Sequence, residues 1–349
     1  MVDIAVLGYG TVGSGVVELL DKNKDIVRNN AGEEINVKYI LDIKDFENDK
    51  YKDKLVKNFD IILNDKDIKI VAEVIGGVTV AYEYTKRLLE AGKNVVTSNK
   101  ELVASHGKKL LEIAKKHNVK YLFEASVGGG IPIIHPLLQC LEANNIQSIV
   151  GIMNGTTNYI LTQMIEKNMS FDKALSQAKE LGYAEANPDA DIKGYDTCRK
   201  ICILASIAYG EYVNPDNINV KGIENLTLEE VKKAEEKGYI VKLIGYANRK
   251  SEAEIEVFVS PCAIRKDSPL ANVNDVYNAI LVTGDMVGDT MFYGKGAGKF
   301  PTASAVCSDI IECINLKTTR EINLRESRIM INKPELKVLE GTDLPILEK

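Results

Sequence analysis

The sequence contains no tryptophan, only three histidines in 349 residues, and no apolar run of membrane-spanning length. His106, His117 and His135 show neither ligand nor triad spacing, so none of them is assigned a role. The six cysteines, Cys140, Cys198, Cys202, Cys262, Cys307 and Cys313, are scattered and form no CxxC pair. Without a signal peptide, this pattern excludes a secreted disulfide framework and predicts reduced thiols in a cytoplasmic protein. Cys198 and Cys202 are spaced to share a helix face, but no histidine lies beside them, and packing explains them better than a metal does. A basic excess is also missing. A net charge of −6 argues against a nucleic-acid or acidic-membrane partner. There is no internal repeat. The remaining composition, 27 % charged and 45 % hydrophobic, is that of a globular protein long enough for two domains.

The first half alternates strand and helix patterns. Asp3 to Leu7 is a short apolar strand that runs into Gly8, Gly10 and Gly13, followed by the helical spacing of Val16, Val17, Leu19 and Leu20. Placed between strand and helix, a GxGxxG permits a tight turn and close backbone approach to a pyrophosphate, which the helix N-terminus then attracts. A plain glycine turn is the alternative. Ile35 to Asp42 reads as the second strand, ending in an acid where a Rossmann domain meets the adenosine ribose. Asp42 argues for NAD, whereas Lys44 could meet a 2′-phosphate, so both cofactors stay open. Residues 44–58 are a charged connection with a short helix. Strands follow at 68–77, 94–97 and 119–124, with helices at 82–91 and 107–117, which predicts a doubly wound parallel α/β sheet. Gly76, Gly77 and the Thr97–Lys100 loop then face the crevice at the carboxyl ends of the strands. Glu124 precedes the glycine run 128–130, where accessible carbonyls and one carboxylate would suit a hard cation; a tight turn with a buried, paired Glu is the other reading.

From about residue 136 the alternation loosens. A strand at 148–153 leads into Asn154–Tyr159 and a helix; strands near 239–247, 253–260, 279–283 and 285–293 follow a charged helix at 227–237. Strands in close succession predict a mixed or antiparallel sheet, hence an α+β second domain. A glycine cluster ending at Gly298 precedes a helix at 303–316, and residues 317–349 carry little pattern. The expected division is a dinucleotide-binding domain at 1–135, a substrate domain at 136–300, a helix at 301–320 returning to the first domain, and a peripheral tail at 321–349. The segment Tyr183 to Lys200, YAEANPDADIKGYDTCRK, is rich in carboxylates and enters an apolar helix, so Asp196 and Lys200 share one helical face. Taken alone it also reads as a solvated helix start with acids opposing the macrodipole.

Together, GYGTVG, IGG, AGKNVVTSNKELVA, EASVGGGIPII, GIMNGTTNYILTQM, the acidic segment, GYIVKLIG and VGDTMFYGKGAGKFPTASAV resemble homoserine dehydrogenase, in the family's order and over roughly residues 4 to 310. The resemblance implies NAD(P)H-dependent reduction of L-aspartate 4-semialdehyde to L-homoserine, in the shared route to threonine, methionine and isoleucine. It further implies that Gly8, Gly10, Thr11, Val12 and Gly13 bind the cofactor, together with Lys100, Gly182 and Gly298, to which the strand pattern adds Asp42, Gly76 and Gly77. Glu185, Asp196 and Asp191 would bind substrate, with Lys200 and Lys100 catalytic. Glu124 and the backbone oxygens of Val127, Gly129 and Ile131 would hold a monovalent cation, sodium, and the second domain would form a homodimer. These roles suit the chemistry, because a developing alkoxide needs a cation and a proton, and the substrate ammonium needs a carboxylate.

Three departures from the family pattern are visible. Leu41 stands where a basic residue often precedes the second-strand acid, Val80-Ala81 replaces a Pro-Ala pair, and 349 residues leave no room for a C-terminal ACT domain, so no threonine inhibition through such a domain is expected. Another NAD(P) oxidoreductase of a related amino-acid aldehyde, or a non-catalytic nucleotide sensor, are the competing readings.

Overall fold

The computed structural model describes residues 1–315, 322, 324–325 and 330–347. In chain order the elements begin β1 (Val2–Leu7), α1 (Thr11–Lys22), α2 (Lys24–Ala31), β2 (Ile35–Leu41), β3 (Leu55–Val56), α3 (Phe59–Asn64), β4 (Ile68–Glu73), α4 (Thr79–Glu90), β5 (Asn94–Thr97), α5 (Lys100–Lys116) and β6 (Tyr121–Leu122). They continue with β7 (Ile146–Ile152), α6 (Gly155–Lys167), α7 (Phe171–Glu180), α8 (Asp189–Ile192), α9 (Tyr195–Tyr209), β8 (Asn219–Val220), α10 (Leu228–Glu236), β9 (Tyr239–Ser251) and β10 (Glu254–Arg265). β11 (Tyr277–Gly284), β12 (Gly288–Lys295), α11 (Lys299–Ile314), β13 (Met330–Asn332) and β14 (Ile346–Leu347) complete the set. Two compact units result, one from residues 1–135 and 297–323, the other from 136–296 and 324–349.

The first unit is the expected Rossmann-type layer. Its six strands are all parallel, in the order β3-β2-β1-β4-β5-β6. β1 and β4 are buried on both faces, which is why they read as nearly continuous apolar runs. Register aligns the strand ends: Leu7 pairs with Leu41 and Glu73, and Glu73 pairs with Thr97. Gly8, Asp42, Val74 and the residue after Thr97 therefore leave the sheet along one edge, where the strand order reverses at β1. α11 completes the core of this unit, setting Ala303, Val306, Cys307 and Ile310 against Val16, Val17 and Leu20 of α1. Gly15 permits the approach, since a Cβ there would lie 3.1 Å from the Cβ of Ala303.

The second unit is a mixed eight-stranded sheet, ordered β12-β11-β7-β9-β10-β13, with β8 and β14 also pairing with β10. Its centre is antiparallel, and β8, β13 and β14 join β10 in parallel. Val150, Ile152, Ile244, Phe258, Cys262 and Leu281 form its apolar core on one face.

Three parts of the chain differ most from the sequence-based expectation. α5 starts at Lys100, seven residues early, because Asn99 caps it by accepting the Leu102 N–H at 3.1 Å. The strand expected at 119–124 shrinks to two residues, since the Glu124 N–H donates to Asp309 Oδ2 (3.0 Å) and leaves the ladder. The tail expected to be peripheral adds β13 and β14 to the second sheet and buries Leu339, Leu344 and Leu347. Among the described residues no helix is long and apolar enough to cross a membrane.

Candidate active site

At the β1–α1 turn of the first unit, Gly8 has φ +96°, and a Cβ on Gly13 would fall 1.9 Å from the Gly8 carbonyl oxygen. Only glycine fits either position. Gly10, the residue capping α1, brings no side-chain acceptor, and a Cβ built on it meets nothing within 4 Å. Thr11 is exposed and Val12 half-buried, so the amides of the first turn face open space and suit an anion. The Asp42 carboxylate is held in place beside this turn, accepting the Tyr9 N–H at 2.7 Å and the Lys44 N–H at 2.8 Å. This donor set fits a dinucleotide.

The loops after β4 and β5 are tied to one another. Buried Glu73 accepts the Thr97 hydroxyl (2.7 Å) and the Ile75 N–H (2.9 Å), and burial pushes its carboxyl up. The Asn99 side chain donates to the Gly77 carbonyl (2.6 Å). Gly76 and Gly77, both at positive φ and exposed, are thereby fixed relative to half-buried Lys100 at the start of α5. Gly298, at φ +129° and exposed, caps α11. Sequence reasoning gave Glu73 no role, although it ends the largely apolar strand β4, and placed Asn99 at the crevice only as part of the 97–100 loop.

The first unit also holds an acid cluster of which sequence reasoning singled out Glu124 alone. Glu124 accepts the N–H groups of Ile133, Ile134 and His135 at 2.7–2.9 Å, and its Oε2 lies 3.0 Å from His135 Nδ1. Val127, Gly129 and Ile131 are buried, and the loop folds tightly enough that a Cβ on Gly128 would sit 2.3 Å from the Ile131 carbonyl oxygen. Burial pushes Glu124 up, but His135 and the three backbone donors outweigh it and hold the carboxyl below its ordinary range. His135 Nε2 contacts Glu312 and lies 4.0 Å from Asp309 Oδ1. The Glu124 and Glu312 carboxylates raise the imidazole to about 10.

In the second unit the structure joins Asp191, Asp196 and Lys200 through a residue that sequence reasoning left without a role. Asn154 caps α6, its Oδ1 accepting the Thr157 N–H at 2.9 Å. Its Nδ2 donates to Asp191 Oδ1 (2.7 Å) and Asp196 Oδ2 (2.8 Å). Lys200 Nζ donates to Asp196 Oδ2 (2.9 Å) and to the Met153 carbonyl (2.7 Å). Asn154, Asp196 and Lys200 are all buried, so this is not a solvated helix start. Glu185 is exposed and stands outside this network, and Gly182, exposed at φ +73°, follows α7 in this same unit. A buried ammonium beside a carboxylate and an amide can donate a proton and orient a polar substrate.

Comparison with known proteins accounts for both units. A family model described as "Homoserine dehydrogenase, NAD binding domain" matches residues 8–124, and one described as "Homoserine dehydrogenase" matches residues 132–311. The homoserine dehydrogenase of Synechocystis sp. is 44 % identical over 330 residues, covering 92 % of this chain and 75 % of that one. The crystal structure of a homoserine dehydrogenase from Thiobacillus denitrificans superposes with a TM-score of 0.88 at 38 % identity, covering 99 % of this chain and 79 % of that one. A hyperthermophilic archaeal homoserine dehydrogenase in complex with NADPH gives a TM-score of 0.77 at 29 % identity, covering 93 % and 99 %. With the glycine turn inside one matched region and the Asn154–Asp196–Lys200 network inside the other, the chain belongs to the homoserine dehydrogenase family.

Proposed function

We propose that the protein interconverts L-aspartate 4-semialdehyde and L-homoserine with Lys200 as the proton donor, Asp196 and Asp191 with Glu185 as substrate-binding acids, and Lys100 as a second catalytic cation. The observation that carries this assignment is the buried Asn154–Asp196–Lys200 network. A nicotinamide held by the first unit would supply the hydride for the aldehyde carbon. The Lys200 ammonium, aimed by Met153 O and Asp196, gives its proton to the oxygen that becomes the hydroxyl, and recovers one from solvent. Asp191, tied to Asn154, offers a carboxylate to the substrate ammonium.

Cofactor binding is assigned to Gly8, Gly10, Thr11, Val12 and Gly13, with Asp42, Gly76, Gly77, Lys100, Gly182 and Gly298. NAD is the preferred form, because a carboxylate held by two backbone N–H groups at Asp42 repels a 2′-phosphate. A sodium ion is assigned to the loop of Val127, Gly129 and Ile131. Glu124 already accepts three backbone N–H groups, so it contributes charge there more than a primary ligand. The protein is assigned to the cytoplasm as a homodimer formed through the second unit; the dimer is supported by Met291 and Tyr293 on the outermost strand β12, with Met286 and Val287 just before it, all exposed apolar side chains.

The test is L-homoserine oxidation followed by nucleotide absorbance, with NAD and NADP in parallel, for the wild type and Lys200→Ala. Turnover with NAD that falls at least ~100-fold in K200A, with NADH binding retained, is expected. Turnover unchanged by the substitution removes Lys200 from the mechanism.

A further inference from the structure

The cluster at the junction of the Glu124–His135 segment and α11 sets three carboxylates, Glu124, Asp309 and Glu312, around one imidazole, with Lys120 Nζ beside it donating to the Glu312 backbone carbonyl at 2.8 Å. Asp309 and Glu312, three residues apart on α11, share a helical face and meet His135, and the three residues can each offer a ligand atom within 4.8 Å of the others. Asp309 is 1 % exposed, and its Oδ1, 4.0 Å from His135 Nε2, accepts no hydrogen bond among the described residues. The same holds for Glu312 Oε1. A buried carboxylate oxygen left in this state is costly unless a cation or a proton meets it.

We propose that His135 Nε2, Asp309 Oδ1 and a Glu312 carboxylate oxygen bind a first-row divalent cation of the Zn2+ or Mn2+ type. Glu124 Oε2 lies 3.0 Å from Nδ1 and accepts the Nδ1–H, so an ion that displaces the proton shared by Nε2 and Glu312 meets the Nε2 lone pair in the carboxylate–histidine–metal arrangement. Ligand bonds of ~2.1 Å require ligand atoms to lie roughly 3.4 Å apart, so Asp309 Oδ1 closes in from 4.0 Å while the Glu312 carboxylate swings back from its direct contact with Nε2 to admit the ion. One nitrogen and two carboxylates favour a borderline transition ion over Mg2+. The half-buried edge of His135 and Glu312 gives an ion its access route, while Asp309 closes the inner side. The ligand set is separate from the sodium loop, which uses carbonyl oxygens of residues 127–131. Its place in the fold makes it a clamp, joining α11 to the chain that follows β6.

The test uses the full chain, stripped with a chelator and dialysed, then titrated calorimetrically with Zn2+, with Mn2+ in parallel because thiolates attract it little. His135→Gln and Glu312→Gln are carried alongside, with circular dichroism confirming their fold. One equivalent bound per wild-type chain, a rise in Tm on loading, and at least ~10-fold weaker binding in both variants are expected. Absence of binding by both ions in the wild type overturns the site. Binding that H135Q and E312Q leave unchanged also overturns it and points to the cysteines.

Discussion

Lys200 and Asp196 lie one helical turn apart with Nζ and Oδ2 separated by 2.9 Å, and neither side chain is more than 8 % exposed. Asn154 donates to the same carboxylate oxygen. The charge pair is thus locked from two sides, by its own helix and by the cap of α6.

Substituting Asn154 separates its two duties. Asn154→Ser keeps a capping oxygen for the Thr157 N–H but loses the donor that bridges Asp191 and Asp196. N154S is expected to melt close to the wild type while kcat/KM for homoserine falls roughly 10–100-fold; N154A should lose about 1 kcal/mol as well. Wild-type kinetics in N154S would reduce Asn154 to a helix cap.

Asp196→Asn leaves a buried ammonium without its charge partner. Removing one member of such a pair costs about 3–5 kcal/mol, so a lower Tm and a loss of turnover of ~100-fold or more are expected. NADH binding, measured by fluorescence, should stay within a few-fold, because Asp196 belongs to the second unit and the glycine turn to the first.

The two glycines of the turn should respond differently. A Cβ on Gly10 meets no protein atom, whereas one on Gly13 collides with the Gly8 carbonyl. Gly10→Ala is predicted to keep the wild-type Tm yet weaken NAD(P)H binding at least ~10-fold, because the added methyl occupies the space of the pyrophosphate. Gly13→Ala should lower both. Equal Tm values for the two variants would contradict the steric account.

Asp42→Ser removes the carboxylate that is held at the end of β2. The ratio of kcat/KM with NAD to that with NADP should shift toward NADP by ~10-fold or more. An unchanged ratio would mean that discrimination lies elsewhere.

Lys242 gives a pH signature unrelated to catalysis. It is fully buried, donating to Asn158 Oδ1 (3.1 Å), Asn274 Oδ1 (3.0 Å) and the Val273 carbonyl, and burial lowers its pKa to about 8. The folded value lies below the unfolded 10.5, so between these limits the unfolded chain binds more protons. The cost of burying the ammonium is present in full below pH 8 and is relieved as pH rises toward 10.5. Denaturant titrations of the wild type and Lys242→Met should therefore show the wild type gaining on the variant from pH 7.5 to 10, by up to ~1.4 kcal/mol per pH unit. A difference independent of pH would rule this out.

What could be read from the sequence was whatever the chain encodes over a few residues. The glycine turn is a strand-to-helix junction written in one stretch, and Asp196 and Lys200 are a local i, i+4 pair. Asn154 was hidden because Asn-Gly-Thr-Thr reads as a helix cap, which it is, while the acids it bridges lie 37 and 42 residues away. His135 carried no spacing signal because Glu312, its partner, is 177 residues distant. Glu73 could not be separated from an ordinary strand end until Thr97 was paired beside it. β13 and β14 escaped notice because two- and three-residue strands show no periodicity and depend on the edge of β10 to exist.

The discontinuity of the first unit imposes an order on synthesis. Its core needs Ala303, Val306, Cys307 and Ile310, and more than 150 residues of the other unit separate them from β6. As the chain leaves the ribosome, the glycine turn emerges well before α11 and remains without the helix that backs α1 until the second unit up to residue 296 has been made. A nascent chain stalled before α11 would expose Val16, Val17 and Leu20 to water, and such a chain is a natural client for a chaperone rather than an early binder of nucleotide.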